Sequence, residues 1–242
     1  MKQVTLVYAF YDNKNMLMQH LKTWLDYSPI LKMGIKVVIV DDASPGCNAA
    51  EVIADFGYTG MDIEVYRVLK DIPWNQDGAR NLAMQEVKTD WVLMTDMDHL
   101  LPKRQAELML EFVEDKAAPG WYYMPDQWLV QGVSLHKPHP NTFLMRVDDF
   151  WVMGGYDEDF AGWYGSDGNF RKCARGAGLV EIPTLAFYTV VYRTTDIEDA
   201  NTKLSRKEGT FYAPLNPKLK AKRTGPPYKA VNPVRFQWKR EL

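Results

Sequence analysis

The first 116 residues alternate between strand-like and helix-like segments, and this alternation limits the possible folds more than any other feature of the sequence. Short runs of apolar and β-branched residues predict strands at residues 4–10, 35–40, 63–68 and 91–95. Helical spacing follows the first, third and fourth of these runs. Strands separated by helices favour a mainly parallel sheet with right-handed crossovers. We therefore expect an α/β fold in which helices flank the sheet.

The alternation stops after residue 120. Residues 121–140 combine aromatic side chains with two histidines and three prolines, which predicts a long loop. A helix is predicted at residues 168–175, and late strands at residues 180–182 and 186–192. Beyond about residue 202, Pro, Gly, Lys and Arg occur with little periodicity, which indicates an extended arm.

Charge also separates the last 40 residues from the rest of the chain. Residues 203–242 contain eleven Lys and Arg against two Glu, a net charge of +9, whereas residues 1–202 carry a net charge of −11. We expect one domain over residues 1–202 and a basic C-terminal extension. Basic residues interleaved with aromatic residues suit phosphate contacts and base stacking. The extension contains Lys218, Lys220, Lys222, Arg223, Lys229, Arg235, Lys239 and Arg240, with Tyr212, Tyr228, Phe236 and Trp238.

Composition excludes several classes of protein. No apolar run approaches the ~18 residues that a membrane-spanning helix needs, and the N-terminal segment turns polar too soon for a secretory signal. The two cysteines, Cys47 and Cys173, are too few for a disulfide framework. A cytoplasmic location with reduced thiols is therefore expected.

Pairs of aspartates follow two of the predicted strands. Asp41 and Asp42 end the second strand, and Asp96 and Asp98 end the fourth. Ligands of open α/β sheets bind at the carboxyl ends of the strands, and clustered carboxylates suit Mg²⁺ or Mn²⁺ together with substrate phosphates. The alternative is that these aspartates only cap loops and helices. The phosphate loop GxxxxGK[ST], the dinucleotide motif GxGxxG, the zinc signatures CxxC and HExxH and the GxSxG elbow are all absent.

Several segments together resemble glycosyltransferase family 2, whose members have the GT-A fold, a Rossmann-like mixed sheet. The resemblance covers about residues 3–195, with a nucleotide-sugar half over residues 1–116 and an acceptor half over residues 117–202. The last of the segments also resembles a C-terminal motif of β-1,4-galactosyltransferases. The segments are Tyr8-Ala-Phe-Tyr-Asp-Asn13, Val38-Ile-Val-Asp-Asp-Ala-Ser44, Gly78-Ala-Arg-Asn-Leu-Ala83, Thr95-Asp-Met-Asp-His-Leu-Leu-Pro102, Gly154-Gly-Tyr-Asp-Glu-Asp-Phe160 and Gly162-Trp-Tyr-Gly-Ser-Asp167.

The resemblance implies a transfer of sugar from a nucleotide diphosphate sugar, with UDP favoured, to an acceptor hydroxyl. It implies an inverting reaction that depends on Mn²⁺ or Mg²⁺, with Asp98 as metal ligand, Asp96 beside the ribose or a metal-bound water, and Asp167 as catalytic base. Nucleotide contacts are expected from Ala9, Tyr11, Asp41, Asp42, Asp77, Arg80 and Asp96. Acceptor contacts are expected from Trp163 and Ser166 and from the histidines of the loop, His136 and His139.

Two features depart from the family pattern. Ser166 stands where the family usually has an acid before the base, and residues 186–195 contain no histidine to serve as a third metal ligand. The alternative role of Asp167 is structural, since an aspartate suits the N-cap of the predicted helix, and the two roles are compatible.

The basic extension raises the question of the acceptor. A hydroxymethylated DNA base, flipped out of the duplex as in some bacteriophage enzymes, would need such a surface. In that case the location would be the host cytoplasm. The alternatives are an anionic membrane surface near a saccharide or lipid-linked cell-envelope acceptor, and a solvated tail or one that covers the donor site. A non-catalytic module that binds nucleotide sugars is the competing class.

Overall fold

The computed structural model describes residues 2–57, 60–202, 213–231 and 233–242. Ten strands in these residues form one mixed, mostly parallel sheet, which confirms the predicted α/β class. The strands are β1 (Val4–Phe10), β2 (Ile35–Asp41), β3 (Asp62–Val68), β4 (Trp91–Asp96), β5 (His99–Leu100), β6 (Trp121–Leu129), β7 (Ser134–Pro138), β8 (Phe143–Arg146), β9 (Val180–Val191) and β10 (Trp238–Arg240). The helices are α1 (Lys14–Leu25), α2 (Pro29–Gly34), α3 (Ala49–Phe56), α4 (Gln76–Glu86), α5 (Lys103–Asp115), α6 (Val147–Val152), α7 (Ser166–Gly176) and α8 (Pro217–Thr224).

The four strands predicted in the first half pair in parallel with one another, as do β6 and β9. The strand order is β10-β3-β2-β1-β4-β8-β6-β9-β5, and β7 pairs with β6. β1 lies between β2 and β4 and is parallel to both, whereas β8 is antiparallel to β4. The carboxyl ends of β1, β2 and β4 therefore meet at one edge, as the sequence predicts.

Side chains of the central strands are buried on both faces, which explains their continuous apolar sequences. In β1, Leu6 and Tyr8 face a core that is completed by α1 and α5, and Val7 faces a second core that includes α4 and α7. Tyr8 packs against His20 and Trp24 of α1, with ring centroids 4.7 and 6.1 Å away.

Residues 121–140 are not the predicted long loop. They form β6 and β7, because Tyr122, Tyr123 and Met124 are buried and β6 pairs with β9 on one side and with β8 and β7 on the other. The two late strands are also a single strand, β9, whose pairing shifts from Thr184 to Tyr188 at a bulge. The helix predicted at residues 168–175 corresponds to α7.

The C-terminal extension is not an extended arm in its described part. Asn216 caps α8 by accepting a hydrogen bond from the backbone N–H of Leu219, and the Leu219 side chain is buried against the body. β10 pairs antiparallel with β3 and becomes the last strand of the sheet on that side. Tyr212 lies outside the described residues. Within the described ranges, every helix is too short or too polar to cross a membrane.

Candidate functional site

A cavity of about 290 Å³ opens at the carboxyl ends of β1 and β4. Ala9 and Asp96, which are partners in the β1–β4 register, form its floor together with Asp98. Six of the residues singled out from the sequence line this cavity: Ala9, Asp96, Asp98, His139, Ser166 and Asp167. The fold therefore joins the acidic strand end of the first half to the loop before α7 in the second half.

Asp96 is held by a fully buried arginine. The Arg80 guanidinium, 1% exposed, pairs with Asp96 Oδ1, and its Nη1 lies 3.3 Å from the Tyr156 hydroxyl oxygen. Gln76 Nε2 donates to the same Asp96 oxygen over 2.6 Å. Burial opposes the ionised form of Asp96, but Arg80 and the other groups around the carboxylate together outweigh burial and keep the pKa of Asp96 below its ordinary value. Arg80 thus lies behind Asp96 and orients it, rather than facing the cavity as the predicted nucleotide contact.

Two histidines flank the acidic strand end. His99 Nε2 lies 3.8 Å from Asp98 Oδ1, His139 Nδ1 lies 3.7 Å from Asp96 Oδ2, and the two rings are 4.4 Å apart. Burial lowers the pKa of His99 to about 3 and also lowers the pKa of His139. Both rings are therefore neutral near pH 7. In the described residues, no three His, Cys, Asp or Glu side chains are grouped as a metal site would need.

Asp167 reaches the cavity from the first turn of α7. The N-cap position belongs to Gly165, whose φ of +88° favours glycine, so Asp167 is not the cap. The neighbouring Ser166 hydroxyl donates to Asp77 Oδ1 over 2.9 Å. Asp77 is buried beneath this contact, and burial raises the pKa of its carboxyl to about 7.

The other predicted nucleotide contacts occupy different positions. The Asp41 carboxylate is fully buried and accepts hydrogen bonds from the backbone N–H groups of Ser44 (2.8 Å) and Ala49 (3.1 Å) and from Arg67 (2.9 Å). It therefore orders the loop after β2 instead of facing the cavity. Asp42 and Tyr11 line a smaller second cavity that shares Ala9 with the first.

Two of the predicted acceptor contacts do not line the cavity. His136 is exposed on β7, where its ring Nδ1 lies 3.3 Å from the Ser134 hydroxyl oxygen. Trp163 is half-buried beside the cavity, but it is the next residue, Tyr164, that lines it. Because neighbouring loop residues point in different directions, the sequence indicates the loop more reliably than the individual ring.

Sequence reasoning missed two cavity residues with a strong claim to function. Trp74 lines both cavities and has a φ of +47°, which is rare for a bulky side chain and is typical of strained functional sites. Arg193 also lines the main cavity and supplies a cation near Asp98. Its position directly after a late strand was the available signal, since strand ends carry the ligands of such sheets.

Comparison with known proteins agrees with this geometry. The family model described as "Glycosyl transferase family 2" matches residues 5–163. No curated protein matches the sequence at a significant level. Among solved structures, S. aureus TarS 1-349 is similar to this chain at 14% identity and a TM-score of 0.64, and the match covers 82% of this chain and 63% of that one.

Two other solved structures have the same fold. A mannosyltransferase from Pyrobaculum calidifontis is 17% identical with a TM-score of 0.59, and the match covers 78% of this chain and 56% of that one. GalNAc-T7 is 15% identical with a TM-score of 0.60, and the match covers 80% and 44%. The chain thus spans less than two thirds of each of these three structures.

The family match covers more than half of the chain and includes β1, α4, β4 and the residues up to Trp163. The GT-A fold, the acidic end of β4 and the cavity at that end agree with the match. The likeness of residues 162–167 to the galactosyltransferase motif stays a prediction. The chain belongs to glycosyltransferase family 2.

Proposed function

We propose that this enzyme transfers a sugar from a UDP-sugar to a hydroxyl group with inversion, in a reaction that depends on Mn²⁺ or Mg²⁺. The observation that carries the proposal is that Asp98 and Asp167 line one cavity, from opposite halves of the chain. One carboxylate is thus available to the leaving diphosphate and the other to the attacking hydroxyl.

The solved relatives support a nucleotide-sugar donor. TarS 1-349 has been solved in complex with UDP-GlcNAc and in complex with UDP. The mannosyltransferase has been solved with GDP-Man and Mn²⁺, and GalNAc-T7 with UDP, GalNAc and Mn²⁺. In this chain, Trp74 is suited to contact the donor, because aromatic rings stack on bases. Arg193 is suited to offset the charge of the diphosphate.

The residues present fit a divalent cation that is held partly by the donor. Asp98 offers a hard oxygen ligand at the cavity, and Mg²⁺ commonly binds through one or two carboxylates together with substrate phosphates. Asp96 is a weaker ligand, since one of its oxygens is already engaged by Arg80 and Gln76. When bound, the cation would act as a Lewis acid that stabilises the charge developing on the diphosphate.

Asp167 is the proposed catalytic base. Its carboxylate would accept the proton of the acceptor hydroxyl as that oxygen attacks the anomeric carbon from the face opposite the diphosphate. The anomeric carbon–oxygen bond to the diphosphate breaks in the same displacement, so the configuration inverts, as it does when glycosidases act without a covalent intermediate. Asp167 is held at the helix end where the dipole favours a carboxylate.

The first prediction separates the two carboxylates. Asp167→Asn is expected to bind UDP normally and to lose about 10²- to 10⁴-fold in transfer rate, since general base catalysis is worth about that much. Asp98→Asn is expected to lose both Mn²⁺-dependent UDP binding and turnover. Calorimetry with UDP and Mn²⁺ and initial rates of UDP release measure these effects. Asp55→Asn, an exposed change on α3, is the control; near-normal transfer by Asp167→Asn would contradict the assignment of the base.

We propose a saccharide hydroxyl, rather than a DNA base, as the acceptor. Five of the eight basic side chains in the described part of the extension form ion pairs with carboxylates, so they are engaged before any phosphate arrives. Tyr164, in contrast, is 64% exposed at the mouth of the cavity. Exposed aromatic rings offer flat apolar faces against which a sugar ring packs.

The second prediction tests the acceptor. We expect no binding to hydroxymethylated duplex DNA at physiological salt, and transfer of sugar to members of an oligosaccharide panel, measured by mass spectrometry of the products. Binding to DNA with a log–log salt slope of about −5, as expected for six phosphate contacts, would instead identify the DNA base as acceptor. UDP-sugar binding with no transfer to any acceptor or to water would identify a non-catalytic binding module.

A further inference from the structure

Three basic side chains of the C-terminal extension meet three consecutive acids, Asp157, Glu158 and Asp159. We call residues 213–231 and 233–242 the clasp, and residues 157–167 the base loop. Lys222 Nζ donates to Asp157 Oδ2 (2.6 Å) and Asp159 Oδ2 (2.8 Å), and Lys218 Nζ lies 2.9 Å from the same Asp159 oxygen. Arg235 Nη1 donates to Asp159 Oδ1 over 2.8 Å. Hydrogen bonds from Lys222 and Lys218 hold the pKa of Asp159 well below its ordinary range.

The middle acid, Glu158, joins the clasp to the body of the enzyme. Its carboxylate is buried and accepts a hydrogen bond from Asn81 Nδ2 of α4 over 2.9 Å. The backbone N–H groups of Val234 and Arg235 donate to the same carboxylate over 2.5 and 3.2 Å. Because a buried carboxylate is costly without such partners, this arrangement depends on the clasp being in place.

The clasp also contacts the other end of the base loop, next to Asp167. Arg223 Nη2 donates to the backbone carbonyl of Tyr164 over 2.7 Å. A Cβ on Gly165 would lie 1.9 Å from that nitrogen and would displace the Arg223 guanidinium, and the φ of +88° also favours glycine there. From α7, Lys172 Nζ donates to the carbonyls of Arg223 (3.3 Å) and Gly225 (3.2 Å) at the C-terminal end of α8, where a cation is favourable.

Hydrogen bonds and cation–π contacts of Tyr228 connect the clasp to α7. The Tyr228 hydroxyl donates to Asp157 Oδ2 over 2.6 Å and accepts from Asn169 Nδ2 of α7 over 2.8 Å. The ammonium groups of Lys172 and Lys222 lie 5.3 and 5.4 Å from the centroid of the Tyr228 ring. The hydrogen bond from Tyr228 to the Asp157 carboxylate is charge-assisted, and such bonds are about twice as strong as neutral ones.

We propose that the clasp positions the base loop, and that Lys222 and Arg223 are positioning residues for Asp167. The proposal rests on the proposed function of Asp167 as the base. The base loop contains Gly162 and Gly165, both at positive φ, and its two ends are each bound by the clasp. A displacement of about 1 Å in a catalytic group is enough to lower a rate about 10²-fold, so a loop released at both ends would lose most of its activity.

The test compares two lysines of the same clasp. Lys222→Gln removes the contacts to Asp157 and Asp159, whereas Lys239→Gln removes only an exposed ion pair with Glu241 inside the clasp. The substrate is whichever of UDP-glucose, UDP-GlcNAc, UDP-galactose and GDP-mannose the wild type hydrolyses fastest with Mn²⁺, with UDP or GDP release as the readout. Hydrogen exchange of the peptide spanning residues 157–167 is measured in the same samples.

For Lys222→Gln we expect kcat to fall 10- to 100-fold while the KM for the donor stays within twofold, with faster exchange in the base loop. Lys222→Arg, which keeps the charge, is expected to recover most of the rate, and Lys239→Gln to match the wild type. Unchanged kcat and exchange in Lys222→Gln, or a rise in donor KM that accounts for the whole loss, would overturn the proposal. If Lys222→Gln does not fold, Arg223→Gln, at the exposed end of the same contact set, takes its place.

Failure of the proposal and failure of the proposed function give different results. Asp167→Asn is assayed in parallel. If Asp167→Asn keeps the wild-type rate, the assignment of the base is wrong, and the exchange of residues 157–167 alone decides whether the clasp holds the loop. If Asp167→Asn is inactive and Lys222→Gln is normal in rate and exchange, only the positioning role is wrong.

Discussion

Arg80 is the residue around which the charges of the site are arranged. Its guanidinium is fully buried, pairs with Asp96 and lies 5.3 Å from the centroid of the Tyr156 ring. Burial opposes the charge of Arg80, but Tyr156, Asp96 and Asp77 outweigh it and raise the pKa of Arg80 further. Because the cation is permanent, it favours the ionised form of Asp96, which lines the cavity.

Asp77 provides a pH-dependent prediction at this scale. Burial raises its pKa from 3.8 to about 7, so the folded state retains a proton over a pH range in which the unfolded chain has lost it. The stability that this proton supplies is complete below about pH 4 and is lost as the pH rises towards 7. Relative to Asp77→Asn, which does not titrate, the wild type is therefore expected to lose up to about 1.4 kcal/mol of unfolding free energy per pH unit in this interval.

Urea unfolding of the two proteins at intervals between pH 4.5 and 7.5 measures this difference. Asp55→Asn on the exposed face of α3 controls for the loss of a carboxylate as such. A wild-type-minus-variant difference that stays constant over the whole range would show that Asp77 ionises normally.

The single residues of the site were predictable to different degrees from the sequence. Asp96, Asp98 and Asp167 were predicted from acids at strand ends and from the family pattern, and all three line the cavity, whereas their roles stay predictions. Trp74 was missed, since nothing in a single sequence marks a left-handed backbone at a tryptophan. Asp41 was assigned to the donor because a sequence does not distinguish an acid that orders its own loop from one that faces a ligand.

At the scale of elements, the turn before the base loop is shaped by the clasp. Gly154 has a φ of +88°, and a Cβ there would lie 2.3 Å from the backbone oxygen of Ala230. Gly178, after α7, has nearly the same φ of +85° with no atom within 4 Å of the added Cβ. The pair therefore separates the cost of the backbone conformation from the cost of displacing the clasp.

We expect Gly178→Ala to lower the unfolding free energy by about 1 kcal/mol, the cost of a positive φ at alanine. Gly154→Ala is expected to lower it by about 2 kcal/mol more, because overpacking against a backbone cannot be relieved by a rotamer change. Urea denaturation measures both. Equal losses in the two variants would mean that the clasp yields without cost at Ala230.

The strands were predictable from the sequence where both faces of the sheet are buried. Each of β1 to β4 is apolar along most of its length because helices cover both faces, and such runs are easily recognised. β6 was taken for a loop because Pro125 interrupts it, and its pairing with β9 joins residues about 60 positions apart. Non-local pairing of this kind leaves little trace in a local window of sequence.

At the scale of the whole molecule, the separation of charge along the sequence becomes contact in space. The basic extension and the acidic body meet at Asp157, Asp159 and Glu64, so much of the +9 and −11 is neutralised internally. Charge counts alone are the same for an arm that reaches a polyanion and for one that folds back on its own body. Only the positions of the carboxylates distinguish these cases. The charge pattern of the sequence suggested a nucleic-acid partner, whereas in the structure these basic side chains pair with carboxylates of the same chain.

The pairing of β10 with β3 also bears on how the chain reaches this state. Val68 and Trp238 are partners although 170 residues separate them, so the pairing closes a very long loop and is expected among the later events of folding. Until then β3 is an open edge with unpaired backbone groups, and such edges recruit strands from other molecules. The chain is thus most prone to aggregate between formation of the central sheet and docking of β10. Dilution or low temperature during refolding is expected to lower the rate of aggregation in this interval.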